Sequence, residues 1–462
     1  MKKNSLFESL GKYLIAAVLV IVPLFPKFPL ISIPGTYVAI RFEDILLLIL
    51  GIITFIKIAL NIKSFLKDEI VQSFLIFFGV GLVSVLAGAF LTKTIDFRIG
   101  LFNWARRIEY IVPFFAVIFL LSKEKISENL QFYIKTLIVV VLIVFVYGLG
   151  QRYFSFPVII TQNEEYSKGI ALRWTPGSHI NSTFAGHYDL AAFIVLMLPI
   201  FLTLMVILKD RLIQLILLLT SSAGLWLLVE SLSRTSQVAY LAAVGVALGF
   251  VKKFRVLALI IIVSVVVAGM SGSLDARFQR ILQVIYDKTG IQKIIGSVEN
   301  GMVVYAADVV LPSDKMSQTP EPTPTPIPVF EDRSTSIRLN VEWPRAIRAL
   351  EKNPMLGTGY SSISLATDND YLRLLGETGL LGFLSFFLIF VRIASLFVAK
   401  SFPLNKNFNG VELGFVAGVI GAIVGTFIIA TFIDIFEASK FATIFWLILG
   451  YAVFLLRNKK VK

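Results

Sequence analysis

The sequence predicts an all-α integral membrane protein with about 12 transmembrane helices and a large, partly helical external loop. Of its 462 residues, 56% are hydrophobic and only 16% are charged, whereas soluble domains have about 45–50% and about 25%. Apolar runs long enough to cross a bilayer recur along the chain. Lysine and arginine collect in alternate connections between these runs, as in multi-pass membrane proteins. These observations exclude a water-soluble enzyme.

Twelve apolar runs are candidate membrane-spanning helices, each close to the roughly 20 residues that a bilayer requires. They lie near 13–32, 42–60, 73–92, 108–121, 133–150, 189–208, 212–230, 236–251, 256–270, 379–398, 411–433 and 440–456. The basic start followed by an apolar run resembles a signal peptide. However, no small-residue cleavage site follows, so we expect a retained first helix.

The positive charges predict the orientation of these helices. With twelve spans, one side of the membrane receives Lys2, Lys3, Lys12, Lys57, Lys63, Lys67, Lys123, Lys125, Lys209, Arg211, Lys252, Lys253, Arg255, Lys400, Lys406, Arg457, Lys459, Lys460 and Lys462. The positive-inside rule makes this side cytoplasmic and places both termini there. Topology thus explains the net charge of +13, and no nucleic-acid partner is expected. The absence of cysteine excludes disulfides and thiolate chemistry.

The expected topology divides the chain into five parts. Residues 1–150 carry helices 1–5, 151–188 form an external loop, 189–270 carry helices 6–9, 271–376 form the large external loop, and 377–462 carry helices 10–12. Alternate prolines at 319–328 predict an extended linker inside the large loop. Apolar spacing predicts a helix from Ser273 to Tyr286 and another from Ser334 to Lys352, the second broken or restarted at Pro344.

Charged residues at the external ends of the spans are the candidate site, because charge near the bilayer interior is costly. They are Arg98, Arg106, Arg107, Glu109, Arg173, Glu230, Arg234, Arg338 and Asp368. Converging guanidinium groups suit a pyrophosphate, since they stay charged and bind phosphate oxygens in pairs. Arg234 lies on the side where topology gives no reason for a positive charge.

Structural interpretations compete with these functional ones. Arg106 and Arg107 are also consistent with anchors that reach towards the interface, and Arg345 and Arg348 with a solvated helix face. Glu43 and Asp44 would suit a divalent cation or the first turn of the second helix. His187 is expected to be a polar contact at the start of the sixth span rather than a catalyst. We therefore predict no metal site.

Six short motifs follow one another in a characteristic order between about 170 and 395. They are Ser182-Thr-Phe184, Ser231-Leu-Ser-Arg234, Ser336-Ile-Arg338, Asn353-Pro-Met-Leu-Gly357-Thr-Gly359, Asp368-Asn369-Asp370-Tyr371-Leu372 and Glu377-Thr-Gly379-Leu-Leu-Gly382. In order, spacing and side of the membrane they resemble the O-antigen polymerase and O-antigen ligase superfamily of polytopic membrane glycosyltransferases. Outside this region the resemblance is one of topology.

The resemblance implies an oligosaccharide linked through pyrophosphate to a polyprenol such as undecaprenol, transferred to a glycan or lipid acceptor. Transfer would occur on the external face of the plasma (inner) membrane, without a cofactor. Arg234 and Arg338 match the arginines that bind the pyrophosphate, and Arg173 is a weaker match. We add Arg106, Arg107 and Asn369 as substrate-binding candidates on position alone. A flippase and a chain-length regulator are the implied protein partners.

Asp368 is the candidate base, because the acceptor hydroxyl must lose a proton and an external carboxylate can take it. Alternatively, Asp368 only caps a helix that begins near Tyr371. Ligases of the superfamily tend to have His-Asn where this chain has Asp368-Asn369, which favours a polymerase over a ligase.

Two alternatives of other classes stay open. A lipid-linked sugar transporter would bind at mid-depth, often with repeated halves, but the charges gather at one end and no internal repeat is evident. A sensor or scaffold that binds a partner through the large loop is the other.

Overall fold

The computed structural model describes residues 2–27, 29–32, 39–158, 172–175, 178–270, 337–363, 366–401 and 408–458. Its helices are α1 (Lys2–Leu24), α2 (Phe42–Ala59), α3 (Ile62–Leu66), α4 (Glu69–Leu86), α5 (Phe97–Leu120), α6 (Ile126–Tyr153), α7 (His187–Ile207), α8 (Arg211–Glu230), α9 (Arg234–Phe250), α10 (Phe254–Met270), α11 (Trp343–Lys352), α12 (Asp370–Ser401), α13 (Gly410–Ala430) and α14 (Ser439–Asn458). Short π-helical segments continue α4 through Ala87–Leu91 and precede α11 at Arg338–Glu342.

Two small antiparallel sheets complete the described secondary structure. Strand β1 (Pro29–Ser32) pairs with β2 (Ala39–Arg41), and β3 (Pro157–Val158) pairs with β4 (Leu172–Arg173). The linker predicted at 319–328, the helix predicted from Ser273 to Tyr286 and the start of the helix predicted from Ser334 lie outside the described residues.

The all-α membrane class is confirmed, whereas the number of spans is not. A helix overlaps each of the twelve predicted apolar runs. By length and composition, the described residues contain 7 helices able to cross a membrane, namely α4 with its π-helical extension, α6, α7, α8, α12, α13 and α14.

Two boundaries differ from the prediction. The first helix ends at Leu24 instead of 32, because Pro23 and Pro26 remove backbone donors there and the chain turns into β1. The helix expected to start the last part at 377 begins at Asp370. The predicted restart at Pro344 is found, since Pro344 lies in the first turn of α11.

The helices α7, α13 and α14 form the interior of the bundle. In the most apolar stretch of each helix, the share of residues buried inside the protein is 83% in α7, 67% in α13 and 100% in α14, against 39% in α4. The large side chains that α2, α8 and α10 expose, such as Phe55, Leu219 and Ile262, are suited to contact lipid, where hydrocarbon replaces water. A helix exposed to lipid on one side thus has apolar residues all around it.

Glycines allow α13 to pack closely against α7 and α9. A methyl group added at Gly418 would lie 2.4 Å from the Ile200 Cα atom, and one at Gly421 would lie 2.2 Å from the Ala243 carbonyl oxygen. The Thr203 hydroxyl of α7 donates to the Gly414 carbonyl oxygen of α13 at 2.7 Å. Small residues and interhelical hydrogen bonds are the main sources of helix association in membranes.

Helix α12 is kinked at Gly379, whose φ of 66° and ψ of −170° are not helical. Residues 354–359 hold this kink through backbone hydrogen bonds, in which the Thr358 amide donates to Gly376 and the Leu380 amide donates to Pro354. Gly357 and Gly379 both have left-handed φ values, which glycine adopts without strain. Each lies so close to the backbone around the other that an added Cβ atom would clash with it. The glycine-containing motifs at 353–359 and 377–382 therefore pack against each other at the kink of α12.

Gly418→Ala should destabilise the protein by about 1–3 kcal/mol, because the added methyl group overpacks the contact between α13 and α7. Gly245→Ala in α9 is the matched control, since no atom lies within 4 Å of the added group and alanine favours helix. Unfolding temperature in detergent, followed by fluorescence size-exclusion chromatography, measures both. Equal stability of the two variants would contradict the packing described for Gly418.

Candidate active site

Arg338 and Asp368 form an ion pair at the end of the bundle where α7 and α12 begin and α13 ends, here called the site end. The Arg338 Nη2 and Nε atoms lie 2.7 Å and 3.0 Å from Asp368 Oδ2. The Tyr188 hydroxyl, in the first turn of α7, is a further hydrogen-bond partner of the guanidinium group. The structure thus brings together the two residues predicted to be catalytic.

The surroundings make the Asp368 carboxylate more basic than an ordinary aspartate. Burial raises its pKa, the Arg338 charge opposes this rise, and the nearby Asp434 charge adds to it. Burial also raises the pKa of Glu342, which lies close to Asp368. A carboxylate with a raised pKa is a stronger proton acceptor in a catalytic site.

The backbone at Asp368 is held in a left-handed conformation with a φ of 50°. The Asp434 carboxylate, in the turn between α13 and α14, accepts hydrogen bonds from the amides of Thr367 at 2.7 Å and Asn369 at 2.9 Å. In return, the buried Asp370 carboxylate accepts from the amides of Ile435 at 2.8 Å and Phe436 at 3.2 Å. Each turn is therefore bound by a carboxylate from the other.

Asn369, and not Asp368, caps helix α12. The Asn369 Oδ1 atom accepts a hydrogen bond from the Leu372 amide at 3.0 Å, which is the usual bond of an N-cap residue. Asn369 is 6% exposed. The structural role considered for Asp368 thus belongs to its neighbour, and the Asp368 carboxylate points to Arg338 instead.

Arg373 lies in the first turn of α12 and is surrounded by acidic side chains. Its guanidinium group is 3.1 Å from Asp434, 3.5 Å from Glu377 and 3.4 Å from Glu437. It also donates to the Ile363 carbonyl oxygen at 3.1 Å. Such a buried cation is stable only with matched anions and hydrogen bonds around it.

Arg106 and Arg107 are buried ion-pair partners, with 14% of each side chain exposed. Arg106 is 2.8 Å from Asp44 and 3.7 Å from Glu109. Arg107 pairs with Glu437 and donates to the Phe436 carbonyl oxygen at 3.0 Å. Both guanidinium groups are therefore paired with carboxylates inside the protein, whereas an interfacial anchor would direct its charge towards water.

Asp44 caps α2, as one of its two predicted interpretations required. Its carboxylate accepts a hydrogen bond from the Arg41 amide at 2.9 Å and also pairs with Arg106. Within the described part of the chain, no group of three or more His, Asp and Glu side chains could hold a metal ion.

Two lysines are buried at the site end. Lys440, with 0% exposure, donates to the carbonyl oxygens of Thr183 at 2.7 Å and Pro23 at 3.1 Å. Lys27 lies 3.7 Å from Asp189, and burial lowers its pKa while Asp189 opposes this effect. Lys440 thereby joins the ends of α1 and α14 to the segment before α7.

The two histidines of the chain stack on each other beside Tyr188. The ring centroids of His179 and His187 are 3.8 Å apart, and those of His187 and Tyr188 are 3.9 Å apart. His187 is thus in contact with the residue that binds Arg338.

The remaining candidate arginines are not part of this network as far as it is described. Arg234 is the first residue of α9 and is exposed. Arg98 is also exposed. Arg173 lies in β4, where its backbone pairs with that of Pro157, and its side chain lies outside the described structure. Glu230 pairs with Arg152 at 2.5 Å.

A small cavity lies beside the Arg373 network. Its charged lining consists of Arg107, Asp370, Arg373, Glu377 and Glu437, and its aromatic lining consists of Phe77, Tyr110, Tyr360, Tyr371, Phe386, Phe436 and Trp446.

Sequence reasoning missed Asp434, Glu437 and Arg373. Asp434 and Glu437 fall between the apolar runs 411–433 and 440–456, so the rule applied to the other charges at span ends would have selected them. Arg373 sits three residues after Asp370 in a stretch expected to be loop. The helix considered near Tyr371 would include Arg373, but only the structure shows its acidic partners.

Arg373→Met should destabilise the protein by about 3–5 kcal/mol, because it leaves buried carboxylates without their cation. Arg392→Met in the same helix is the control: its partner Glu69 is 69% exposed, and such surface pairs contribute at most about 1 kcal/mol. Thermal unfolding in detergent measures both variants. If Arg373→Met unfolds at the temperature of Arg392→Met, the network does not contribute to stability as described.

Comparison with known families identifies the central part of the chain. Residues 215–387 match the O-antigen ligase family. The matched range contains Arg234, Arg338, Asp368 and Asn369, while Arg106, Arg107, Arg173 and Asp434 lie outside it. The search of curated proteins found no match. The predicted resemblance to the O-antigen ligase and polymerase superfamily is thus confirmed for residues 215–387.

Proposed function

We propose that the protein is a membrane glycosyltransferase that polymerises oligosaccharide units carried on polyprenyl pyrophosphate, at the external face of the plasma membrane. The match of residues 215–387 to the O-antigen ligase family and the apolar helices support an enzyme that acts in a membrane on lipid-linked glycans. The observation that carries the proposal is the Arg338–Asp368 pair, in which a cation and a base meet at one end of the bundle.

Arg338 is proposed to bind the pyrophosphate of the donor. Its guanidinium group can make paired hydrogen bonds to phosphate oxygens. Negative charge grows on the departing pyrophosphate, so a fixed cation stabilises the transition state more than the ground state. Arg234, exposed at the start of α9, is the proposed second cation, and Arg173 joins them on the resemblance alone.

Asp368 is proposed to take the proton of the acceptor hydroxyl. The acceptor oxygen forms a bond to the anomeric carbon of the donor sugar, and the bond from that carbon to the pyrophosphate oxygen breaks. The leaving group keeps the electron pair as polyprenyl pyrophosphate, and the hydroxyl proton goes to the Asp368 carboxylate. The raised pKa of Asp368 suits this step, which requires neither metal nor cofactor.

Arg106, Arg107 and Asn369 receive a supporting role in this proposal. Their polar groups already bind carboxylates or backbone, so contact with substrate would require an exchange of partners. We propose that they hold the site in shape, with a glycan as acceptor and with a flippase and a chain-length regulator as protein partners.

A ligase that transfers finished glycan to a lipid or protein is the second candidate. The name of the matched family favours it. The Asp368-Asn369 sequence, where ligases tend to have His-Asn, favours the polymerase. Both reactions use the same donor and the same leaving group.

Arg338→Lys should lower kcat by about 100- to 1,000-fold, the usual loss when one group that stabilises developing charge is removed. Lysine keeps the charge but loses the paired donors. Release of polyprenyl pyrophosphate from a synthetic lipid-linked oligosaccharide, by the purified protein in nanodiscs, measures the rate.

Arg348→Lys is the matched control, because Arg348 is exposed on the neighbouring helix α11. We expect it to keep full activity. A rate of Arg338→Lys equal to that of Arg348→Lys would overturn the role proposed for Arg338.

Deletion of the gene in the source organism should separate the two candidate reactions. A polymerase deletion leaves single repeat units on surface glycans, because donors are made but not joined. A ligase deletion leaves full-length polymer on its polyprenyl carrier. Gel analysis of surface glycans and of extracted lipid-linked sugars measures this, and an unchanged pattern in both fractions would count against either activity.

A further inference from the structure

We infer that Asp434 is a positioning residue for the proposed reaction: it fixes the left-handed turn at Asp368 and so aims the base at Arg338. This inference rests on the proposed function. Asp434 lies outside the residues that match the family. It follows Asp368 by 66 positions in the sequence.

The hydrogen bonds of Asp434 enclose Asp368 from both sides. One carboxylate oxygen accepts from the amide of residue 367 at 2.7 Å, and the other accepts from the amide of residue 369 at 2.9 Å. Two amides separated by one residue thus point to the same carboxylate. Because both amides point to one carboxylate, the backbone must turn at the residue between them. That residue is Asp368, whose φ is 50°.

The left-handed conformation is unfavourable for a residue with a Cβ atom, although aspartate tolerates it better than most. The turn therefore needs an external restraint to stay populated. Asp434 supplies it with charge-assisted hydrogen bonds, which are stronger than bonds between neutral groups. The direction of the Asp368 side chain follows from the backbone conformation, and the carboxylate lies 2.7 Å from Arg338.

Asp434 is itself held in place. Arg373 Nη1 binds one of its oxygens at 3.1 Å, and only 11% of the Asp434 side chain is exposed. The Asp370 carboxylate binds the two amides that follow Asp434, at residues 435 and 436. Neither turn can move away without breaking the bonds that the other one makes.

Asp68 offers a matched control at the opposite end of the bundle. Its carboxylate also accepts from two backbone amides, those of Ile70 at 2.9 Å and Val71 at 3.1 Å. It also pairs with an arginine, Arg457, at 2.7 Å. Helix α14 separates Arg457 from the site end, since its 20 residues extend for about 30 Å.

The test compares Asp434→Ala with Asp68→Ala, each purified as the full chain in nanodiscs and normalised to folded protein. We expect kcat of Asp434→Ala to fall by about 100-fold, because a small misplacement of a reacting group causes a loss of this size. KM for the synthetic lipid-linked donor should stay within about threefold, because the binding residues are intact. Asp68→Ala should keep both values. Equal kcat values for the two variants, or a change confined to KM, would overturn the inference.

Hydrogen exchange provides the second measurement and does not depend on turnover. The peptide that spans 366–370 should exchange faster in Asp434→Ala than in wild type, and at the wild-type rate in Asp68→Ala. Unchanged exchange in Asp434→Ala would show that Asp434 does not hold the turn. Absence of transfer by the wild-type protein would instead overturn the proposed function, and exchange would still decide whether the turn depends on Asp434.

Discussion

Neutralisation of buried charge is the constraint on which the site end depends. Arg373 alone faces three carboxylates and a carbonyl oxygen. An ion in a medium of low dielectric constant loses several kcal/mol of solvation unless a partner replaces the lost water. The helices that carry these groups must therefore approach to hydrogen-bond distance in one relative arrangement. An apolar interface alone would not select that arrangement, since lipid and side chain are equally apolar.

The kink in α12 makes this convergence geometrically feasible. A straight helix through residues 370–401 would keep one direction over its whole length. Gly379 changes the direction of the first nine residues, and the turn at 354–359 fixes the new direction by backbone hydrogen bonds. Asn369 then caps the redirected segment. Asp370, the first residue of this segment, binds the amides of residues 435 and 436, and Asp434 binds those of residues 367 and 369.

The sequence predicted the elements of this protein better than their contacts. Apolar runs and their charges identify the membrane class, because bilayer thickness and the cost of charge act on each segment separately. The resemblance and the position of the charges both point to Arg338 and Asp368, and the structure pairs them. The sequence singles out Arg106 only by its place at the end of a span. Its partner Asp44 lies 62 positions away, and only tertiary structure shows which end residues meet. Asp434 also lies at a span end, but only the structure shows that its carboxylate binds the amides of Thr367 and Asn369.

Under the proposed function, the Arg338–Asp368 pair would couple donor binding to the basicity of Asp368. In the free protein, burial raises the pKa of Asp368 and the Arg338 charge restrains that rise. Under the proposed function, the pyrophosphate of the donor takes up hydrogen bonds of the guanidinium group and neutralises part of its charge. The restraint on the Asp368 pKa then weakens, because an opposite charge nearby favours the ionised carboxylate and its loss favours the protonated one. The carboxylate therefore becomes a better proton acceptor when the donor is in place, and proton transfer from the acceptor is favoured only when a leaving group is ready to depart.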